Sequence, residues 1–528
     1  MNFIEASVFI MFIAIISVPL ANRLRLPLEI FLVLGSCMVS LMPGLPAVEV
    51  NPVIVFNIFL PPILFSAALA TSWRDFKLNI TPISLLAFGL VIFTTVSVAI
   101  LIKLLLPGFS WSEGFLLGAI VSPTDASAAT TILRKLGAPR KFVAILEGES
   151  LVNDATALTL YRFSLAAIMS ESFSITHAVS QFFIVAIGGL VVGLLIGYLA
   201  ALGLRKLKDV QAETTFTIIT AFTSYFVAEH LGFSGVISTV VAGLYFGLKA
   251  PEYIPTHTRL NSKASWSTLM FIINGFVFTL IGLQLPSVLK NLVSYSGISL
   301  IFYGSVMSLA VILLRVIWVY LVGNLSQFFF PKAYQNVKLP GQFFFALGWT
   351  GMRGIISLAA VLAIPEPIVS GVSDPHKDLM IFLTYCVIVA TLIVPTLTLP
   401  SLLRILNLTE GHDKIKDEAR IRVRMLRNVL KSLAALKEKE KIPLDTYNAF
   451  HGQVSRRIKI IKTHLNETPY STLENDYFTF KKLTFIALEA EKEALIRLRN
   501  SGEMHDDVFR ALLGELDIEE MRARSMRI

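Results

Sequence analysis

The sequence predicts an all-α polytopic membrane protein with about thirteen transmembrane helices and a polar helical tail. Hydrophobic residues make up 54% of the 528 residues, only 16% are charged, and the mean hydropathy is +0.69. An ordinary soluble domain is about 25% charged, so this chain lacks the polar residues that a water-exposed surface needs. The composition excludes an ordinary soluble enzyme, a disordered protein and a secreted disulfide scaffold.

Apolar stretches long enough to cross a bilayer recur along the first 408 residues, since a membrane helix needs about 20 mostly apolar residues. They lie near residues 3–21, 27–44, 51–71, 80–106, 114–134, 142–170, 174–204, 212–230, 233–249, 264–289, 297–330, 339–364 and 378–407. The first stretch carries Glu5 and lacks a basic start and a cleavage signal. We therefore interpret it as a retained span.

Charged residues are concentrated at the C-terminal end. From Glu410 to Ile528 the chain carries 23 of its 46 Lys and Arg residues and 20 of its 37 Asp and Glu residues. This change predicts a transmembrane domain over residues 1–408 and a cytosolic helical tail over residues 409–528. The tail is either a small helical domain or a regulatory helix that binds the inner leaflet or a partner. Neither part has the basic excess typical of nucleic-acid binding.

Basic residues also predict the orientation. Connections that follow odd-numbered spans carry Arg23, Arg25, Arg74, Lys77, Arg134–Lys141, Arg205–Lys208, Lys249–Lys263, Lys332 and Lys338. The opposite connections carry only Lys290 and Lys377. The positive-inside rule then places the N-terminus outside and the tail in the cytosol of a multi-pass protein. The retained first span and the short loops suit a bacterial inner membrane.

Seven charged residues lie five or more residues inside the predicted spans, namely Asp125, Glu147, Glu149, Asp154, Arg162, Arg315 and Arg353. Each charge at mid-membrane costs about 2.5–3.5 kcal/mol, so seven unpaired charges would cost roughly 20 kcal/mol. That exceeds the ~5–15 kcal/mol stability of a typical protein, so these groups must pair, face water or bind something. For Arg162 and Arg315 we expect a structural role, in which a carbonyl or carboxylate satisfies each guanidinium.

Span six carries the strongest candidate site. Asp154 lies thirteen residues past Lys141, or about 20 Å along a helix, and so near the middle of a core of about 30 Å. Ser150 shares a helix face with Asp154, and Glu149 shares one with Asn153. Two acids and two neutral oxygen donors in one sector suit a hard monovalent cation.

Spans five and twelve are predicted to be broken helices. In span five, Pro123 removes a backbone donor and frees carbonyls, beside Thr124 and Asp125. A capping role for Asp125 is the alternative, and both roles can coexist. In span twelve, three glycines surround Arg353. If spans 1–6 and 8–13 are two inverted six-helix repeats, the two breaks hold matching positions, which is a pointer to a transporter site.

Four motifs together resemble the sodium/proton exchangers of the cation:proton antiporter superfamily, particularly the bacterial NhaP-type branch. They are SPTDASAAT, EGESLVNDATAL, SGVISTVVAGLYFG (residues 234–247) and GMRGIISLAA. The resemblance extends over about residues 1–408. It implies that Asp154 carries the ion or proton and that Asn153 marks the branch with electroneutral exchange.

The resemblance also implies the rest of the site. Na⁺ would bind at Asp154, Thr124, Asp125 and Ser150, and Glu149 would pair with Arg353. Relatives often carry an acid near Ser66, where this sequence has a possible neutral ligand instead. Relatives are homodimers, so a homodimer is expected.

These observations predict a secondary transporter that exchanges monovalent cations for protons by alternating access at Asp154. Na⁺ is the expected cation, with Li⁺ as a further substrate, and K⁺/H⁺ exchange is the alternative. A cation channel or a membrane sensor remains a more distant alternative. We find no nucleophile elbow, phosphate loop or Cys/His cluster, so neither enzymatic activity nor a cofactor is expected.

Overall fold

A computed structural model describes residues 3–24, 28–40, 55–169, 175–253, 256–283, 295–329, 340–365, 375–408, 411–439, 443–465, 472–501 and 506–525, with Leu289 and Leu292. Every regular element in these ranges is helical, so the predicted all-α class is confirmed. The chain divides into two compact units, Met1–Thr409 and Glu410–Ile528. Arg25, Lys290, Lys332 and Lys338, which contributed to the predicted orientation, lie outside the described residues.

The first unit is built from helices α1 to α17. In chain order they are Phe3–Leu24 (α1), Leu28–Ser40 (α2), Leu60–Ala70 (α3), Trp73–Leu78 (α4), Ile80–Ser84 (α5), Val91–Leu105 (α6), Trp111–Val121 (α7), Ser127–Lys135 (α8), Arg140–Met169 (α9), Ile175–Leu204 (α10), Val210–His230 (α11), Gly235–Tyr253 (α12), Thr256–Leu283 (α13), Gly297–Phe329 (α14), Gly341–Trp349 (α15), Ile355–Leu362 (α16) and Pro375–Ile405 (α17). Two π-helical turns, Val55–Phe59 and Leu85–Leu90, precede α3 and α6.

Each predicted span overlaps one or more of these helices. Five described stretches are long and apolar enough to cross a membrane, and they are Ile80–Leu105, Ser180–Leu204, Thr258–Leu283, Gly297–Leu325 and His376–Ile405. Shorter apolar helices include Leu28–Ser40 and Trp111–Val121. The count of thirteen spans and the inverted repeats stay predictions.

The predicted interruptions of spans five and twelve are confirmed. Helix α7 ends at Val121 and α8 begins at Ser127, while α15 ends at Trp349 and α16 begins at Ile355. Helix α9, which contains Asp154, lies against this region. Phe142 of α9 makes an edge contact with Phe343 of α15, and the ring centroids are 5.1 Å apart. The unbroken α9, of 30 residues, therefore borders both interrupted helices.

Glycines allow α10 to lie unusually close to α12. A Cβ atom built on Gly193 would lie 2.9 Å from the Cα of Ser238, and one on Gly197 would lie 3.1 Å from the Cα of Ala242. Backbones that approach this closely exclude larger side chains, which is typical of small-residue helix interfaces in membranes.

We therefore expect Gly193→Val to destabilise the first unit by about 1–3 kcal/mol, since the added methyl groups overpack this contact. The measurement is the midpoint of thermal unfolding in detergent. Gly297→Ala is the control, because nothing lies within 4 Å of a Cβ at that position. Equal midpoints for the two variants would contradict the close packing.

The second unit is helical throughout its described ranges. Its helices are Gly411–Lys439 (α18), Leu444–Leu465 (α19), Thr472–Asn500 (α20) and Asp506–Ser525 (α21). Val423 of α18 packs against Val454 and Ile458 of α19. Lys492 of α20 donates to Asp517 and Glu520 of α21, each at 2.6 Å, and these carboxylates raise the pKa of its ammonium.

Candidate functional site

The two helix breaks contact each other directly. The backbone N–H of Asp125 donates to the carbonyl of Met352 at 2.8 Å. In return, Arg353 donates from Nε to the carbonyl of Val121 at 3.1 Å. The breaks therefore satisfy each other's backbone groups, which a membrane interior requires.

Pro123 explains why the first break exists. Its ring has no N–H, so the carbonyl of Ala119 receives no backbone bond from it and instead accepts from the Ser122 hydroxyl at 3.0 Å. Beyond the proline, the Asp125 carboxylate accepts from the N–H of Ser127 at 2.8 Å, at the start of α8. The N-cap position of α8 is occupied by Ala126, so Asp125 binds the first N–H of the helix without being its capping residue.

A cavity of about 270 Å³ lies beside this crossing point. The predicted residues that line it are Ser66, Thr124, Asp125, Ser150 and Asp154. The sequence analysis placed them on three separate stretches of chain, and the fold brings all five to one surface. Asp125 therefore both accepts from the first N–H of α8 and lines the cavity.

Asp154 lies at the centre of α9 and is buried, with 7% of its surface exposed. Ser150, one turn earlier, faces the same cavity and accepts a hydrogen bond from the N–H of Ala126 at 3.3 Å. Among the described residues, no side chain forms an ion pair with Asp154. A buried carboxylate of this kind needs a proton or a cation to neutralise it.

The predicted ion pair between Glu149 and Arg353 is wrong in its basic partner. Both oxygens of Glu149 accept from the guanidinium of Arg315 on α14, one of them from Nη2 at 2.9 Å. Both side chains of this pair are only 1% exposed. Arg353 instead donates to the carbonyls of Val121 and Gly351, because its own break leaves it beside unpaired backbone oxygens.

Gly351 makes the Glu149–Arg315 pair possible. A Cβ atom at this position would collide with the side chain of Arg315, so any larger residue would block its path to Glu149. The expected structural role of Arg315 is confirmed by this contact. Arg162 likewise pairs with a carboxylate, donating to both oxygens of Glu229 at 3.0 Å.

The structure also corrects the role expected for Asn153. Its amide does not line the cavity and instead donates to the carbonyl and hydroxyl oxygens of Thr124 at 3.2 and 2.9 Å. The Thr124 hydroxyl in turn donates to Glu149 at 2.8 Å. Asn153 points away from the cavity because of its place around the helix. Glu149 and Asn153 share one face of α9, whereas Ser150 and Asp154 share another.

The sequence analysis did not assign several other polar residues of the cavity wall to the site. Asn274 of α13, Ser357 of α16 and Glu147 of α9 all line the cavity. Glu147 was noted only as an ionisable residue, and it pairs with Arg134 at 2.6 Å. A polar residue within an apolar run, as in FIINGFVF and GIISLAA, was the available signal for the other two.

Comparison with known proteins places the chain among sodium/hydrogen exchangers. Residues 8–405 match the family described as sodium/hydrogen exchanger, transmembrane. The sodium, potassium, lithium and rubidium/H⁺ antiporter of Bacillus subtilis (strain 168) is 30% identical over 486 residues, covering 89% of this chain and 71% of that protein. The uncharacterized Na⁺/H⁺ exchanger Rv2287 of Mycobacterium tuberculosis is 28% identical over 516 residues, covering 96% and 94%.

A solved structure shares the fold. The sodium proton antiporter MjNhaP1 from Methanocaldococcus jannaschii aligns with a TM-score of 0.62 at 18% identity, covering 77% of this chain and 100% of that chain. The family consists of transporters rather than enzymes. From its match over residues 8–405, we conclude that this chain belongs to the sodium/hydrogen exchanger family of membrane antiporters.

Proposed function

We propose that this chain exchanges monovalent cations, foremost Na⁺ and also Li⁺, for protons at Asp154. The observation that carries the proposal is the position of Asp154, buried at the centre of α9 and lining the cavity at the two helix breaks. A charged carboxylate in the membrane core is costly, and either a proton or a cation neutralises it. Because the two compete for one group, binding of one releases the other.

The contacts on either side of Asp154 support alternating access. The cavity extends to Glu147, about 10 Å along α9, at the end that the basic residues assign to the cytosol. Toward the other end of α9, Ala155 packs with Tyr225 and Val236 in an apolar cluster. The Arg162–Glu229 pair lies further in the same direction. With the proposed orientation, this arrangement would be an inward-facing state.

Several finer properties belong to the same proposal. Asn153, by its resemblance to the electroneutral branch, implies exchange of one cation for one proton. The protein would be a homodimer in the bacterial inner membrane, with its N-terminus outside. Residues 1–408 would carry transport, and the cytosolic tail over residues 409–528 would regulate it.

K⁺ is the second candidate cation. The Bacillus subtilis relative is named for sodium, potassium, lithium and rubidium, so one protein of similar sequence is named for several cations. Ser66 lines the cavity as a neutral group, in place of the acid that the resemblance led us to expect. Fewer carboxylates weaken the preference for a small, strongly hydrated cation.

The test is dissipation of a pH gradient by the purified protein in liposomes that contain a pH-sensitive dye. Na⁺, Li⁺ and K⁺ are added separately, and a parallel Na⁺ series is run with the membrane potential clamped by K⁺ and valinomycin. We expect cation-dependent dissipation that does not depend on the clamp. Activity should pass through a maximum with pH, because protons outcompete cations at low pH and become scarce at high pH.

Dissipation that is absent with every cation, from protein that remains folded, would contradict the proposal. Current that follows the voltage in the absence of a proton flux would indicate a channel instead. Strong dependence of Na⁺-driven exchange on the clamp would refute electroneutral exchange while leaving antiport intact.

A further inference from the structure

Buried hydroxyl groups in these helices usually bond to a carbonyl one turn earlier. Thr95, Thr156 and Thr391 do so at 2.6–3.1 Å. Across the described ranges, the buried Ser and Thr hydroxyls that have no partner are Thr94, Thr279, Ser357 and Thr384. Of these, Ser357 alone lines the cavity that contains Asp154. Since an unpaired buried hydroxyl is costly, its position on this wall points to a ligand.

Asn274 provides a second free oxygen on a different helix. It lies one turn after Met270 on α13, and both residues line the cavity. Among the described residues, the side-chain amide of Asn274 neither donates nor accepts a hydrogen bond. An amide in the middle of an apolar membrane helix is expensive and tends to be functional when it faces a cavity.

The position of Ser357 relative to the acids is set by Gly354. A Cβ atom on Gly354 would lie only 2.6 Å from Oδ2 of Asp125, so the start of α16 lies against this carboxylate. Ser357 follows three residues later, about 4.5 Å along the helix. Ser357 therefore lines the same cavity as Asp125 and Asp154 and belongs to a different broken helix.

We propose that Ser357 and Asn274 are neutral oxygen ligands of the transported cation and that they set the selectivity among Na⁺, Li⁺ and K⁺. This inference rests on the proposed cation/proton exchange. Hydroxyl and amide oxygens bind hard cations, and neither group takes up or releases a proton in the physiological range. They therefore add affinity and discriminate by ion size without changing the number of protons exchanged.

The test compares Ser357→Ala and Asn274→Leu with the wild-type chain in the liposome assay. For each variant we expect the half-saturating concentration of at least one cation to rise about tenfold, the effect of one lost charge-assisted contact. The ratio of half-saturating concentrations between Na⁺ and K⁺ should change with it. The pH of maximum activity at saturating cation and the independence from voltage should not change.

Thr279→Val is the matched control. Thr279 is on the same helix as Asn274 and is buried without a partner, but it does not line the cavity. We expect its half-saturating concentrations to equal those of the wild type. A second measurement needs no transport, namely the rise in unfolding temperature that NaCl or KCl gives to purified protein. That rise should shrink in both cavity variants and persist in Thr279→Val.

The outcomes separate this inference from the proposed function. If wild-type exchange requires Asp154 but both cavity variants keep wild-type half-saturation and cation ratios, the inference is wrong and the proposed function stands. Equal changes of half-saturation in Thr279→Val would also overturn it, because they would show that a substitution in α13 alters transport by loosening the helix packing in general. A folded wild type without exchange would contradict the proposed function itself.

Discussion

Asp154→Asn is expected to reduce cation/proton exchange at least about a hundredfold, to the level of liposomes without protein. Asparagine has nearly the shape of aspartate, but its amide neither takes up a proton nor balances the charge of a cation. A hundredfold loss corresponds to about 2.7 kcal/mol in the transport barrier. The measurement is the initial rate of pH-gradient dissipation after addition of Na⁺, Li⁺ or K⁺.

The fold of this variant should survive, since Asp154 has no ion-pair partner among the described residues. Removing a buried charge that lacks a counter-ion should leave the unfolding midpoint equal or higher. Glu147→Gln is the matched control, because Glu147 is an acid on the same helix and the same cavity wall but seven residues away. Normal exchange by Asp154→Asn would place the exchange site elsewhere.

The second large effect concerns the buried pair of Glu149 and Arg315. Arg315→Met is expected to destabilise the first unit by about 3–5 kcal/mol, because it leaves the carboxylate of Glu149 buried without a counter-charge. Glu149→Gln should cost a similar amount by leaving the guanidinium unbalanced. The double variant should recover much of the loss, because no uncompensated charge then remains. Thermal and denaturant unfolding of the purified variants measure these differences.

A double-mutant cycle decides between the two possible partners of Glu149. We expect a coupling energy of more than about 1 kcal/mol between Glu149 and Arg315, which are joined by two hydrogen bonds. Coupling with Arg353 should be smaller, because its guanidinium donates to the carbonyls of Val121 and Gly351. A larger coupling with Arg353 than with Arg315 would refute the assignment.

The helical class and the breaks followed from local physics. Long apolar runs leave a chain little choice but helix in a bilayer, because each backbone group must be satisfied within the segment. Pro123 and the glycines around Arg353 interrupt the backbone hydrogen bonds of their helices, whatever packs around them. Asp154 and Ser150 could be assigned to one face because their spacing of four residues is a property of any α-helix.

The partners of the charged groups could not be obtained in this way. Arg315 and Arg353 were both basic residues within apolar stretches, and nothing local distinguished which of them would reach Glu149. The choice depends on the packing of α14 against α15 and on Gly351, whose missing side chain leaves room for Arg315. Asn153 likewise turned out to hold Thr124, at a site 29 residues away in sequence.

The sequence by itself determined that this protein is helical, membrane-embedded and interrupted at two places, and it indicated the acid most suited to exchange. These features depend on hydropathy, helical period and backbone chemistry, which act over a few residues. Only the tertiary structure decided which side chains share the cavity, and it brought Asn274 and Ser357 to the same wall as Asp154. Such contacts join residues that are far apart in sequence, and they are selected by how whole helices pack.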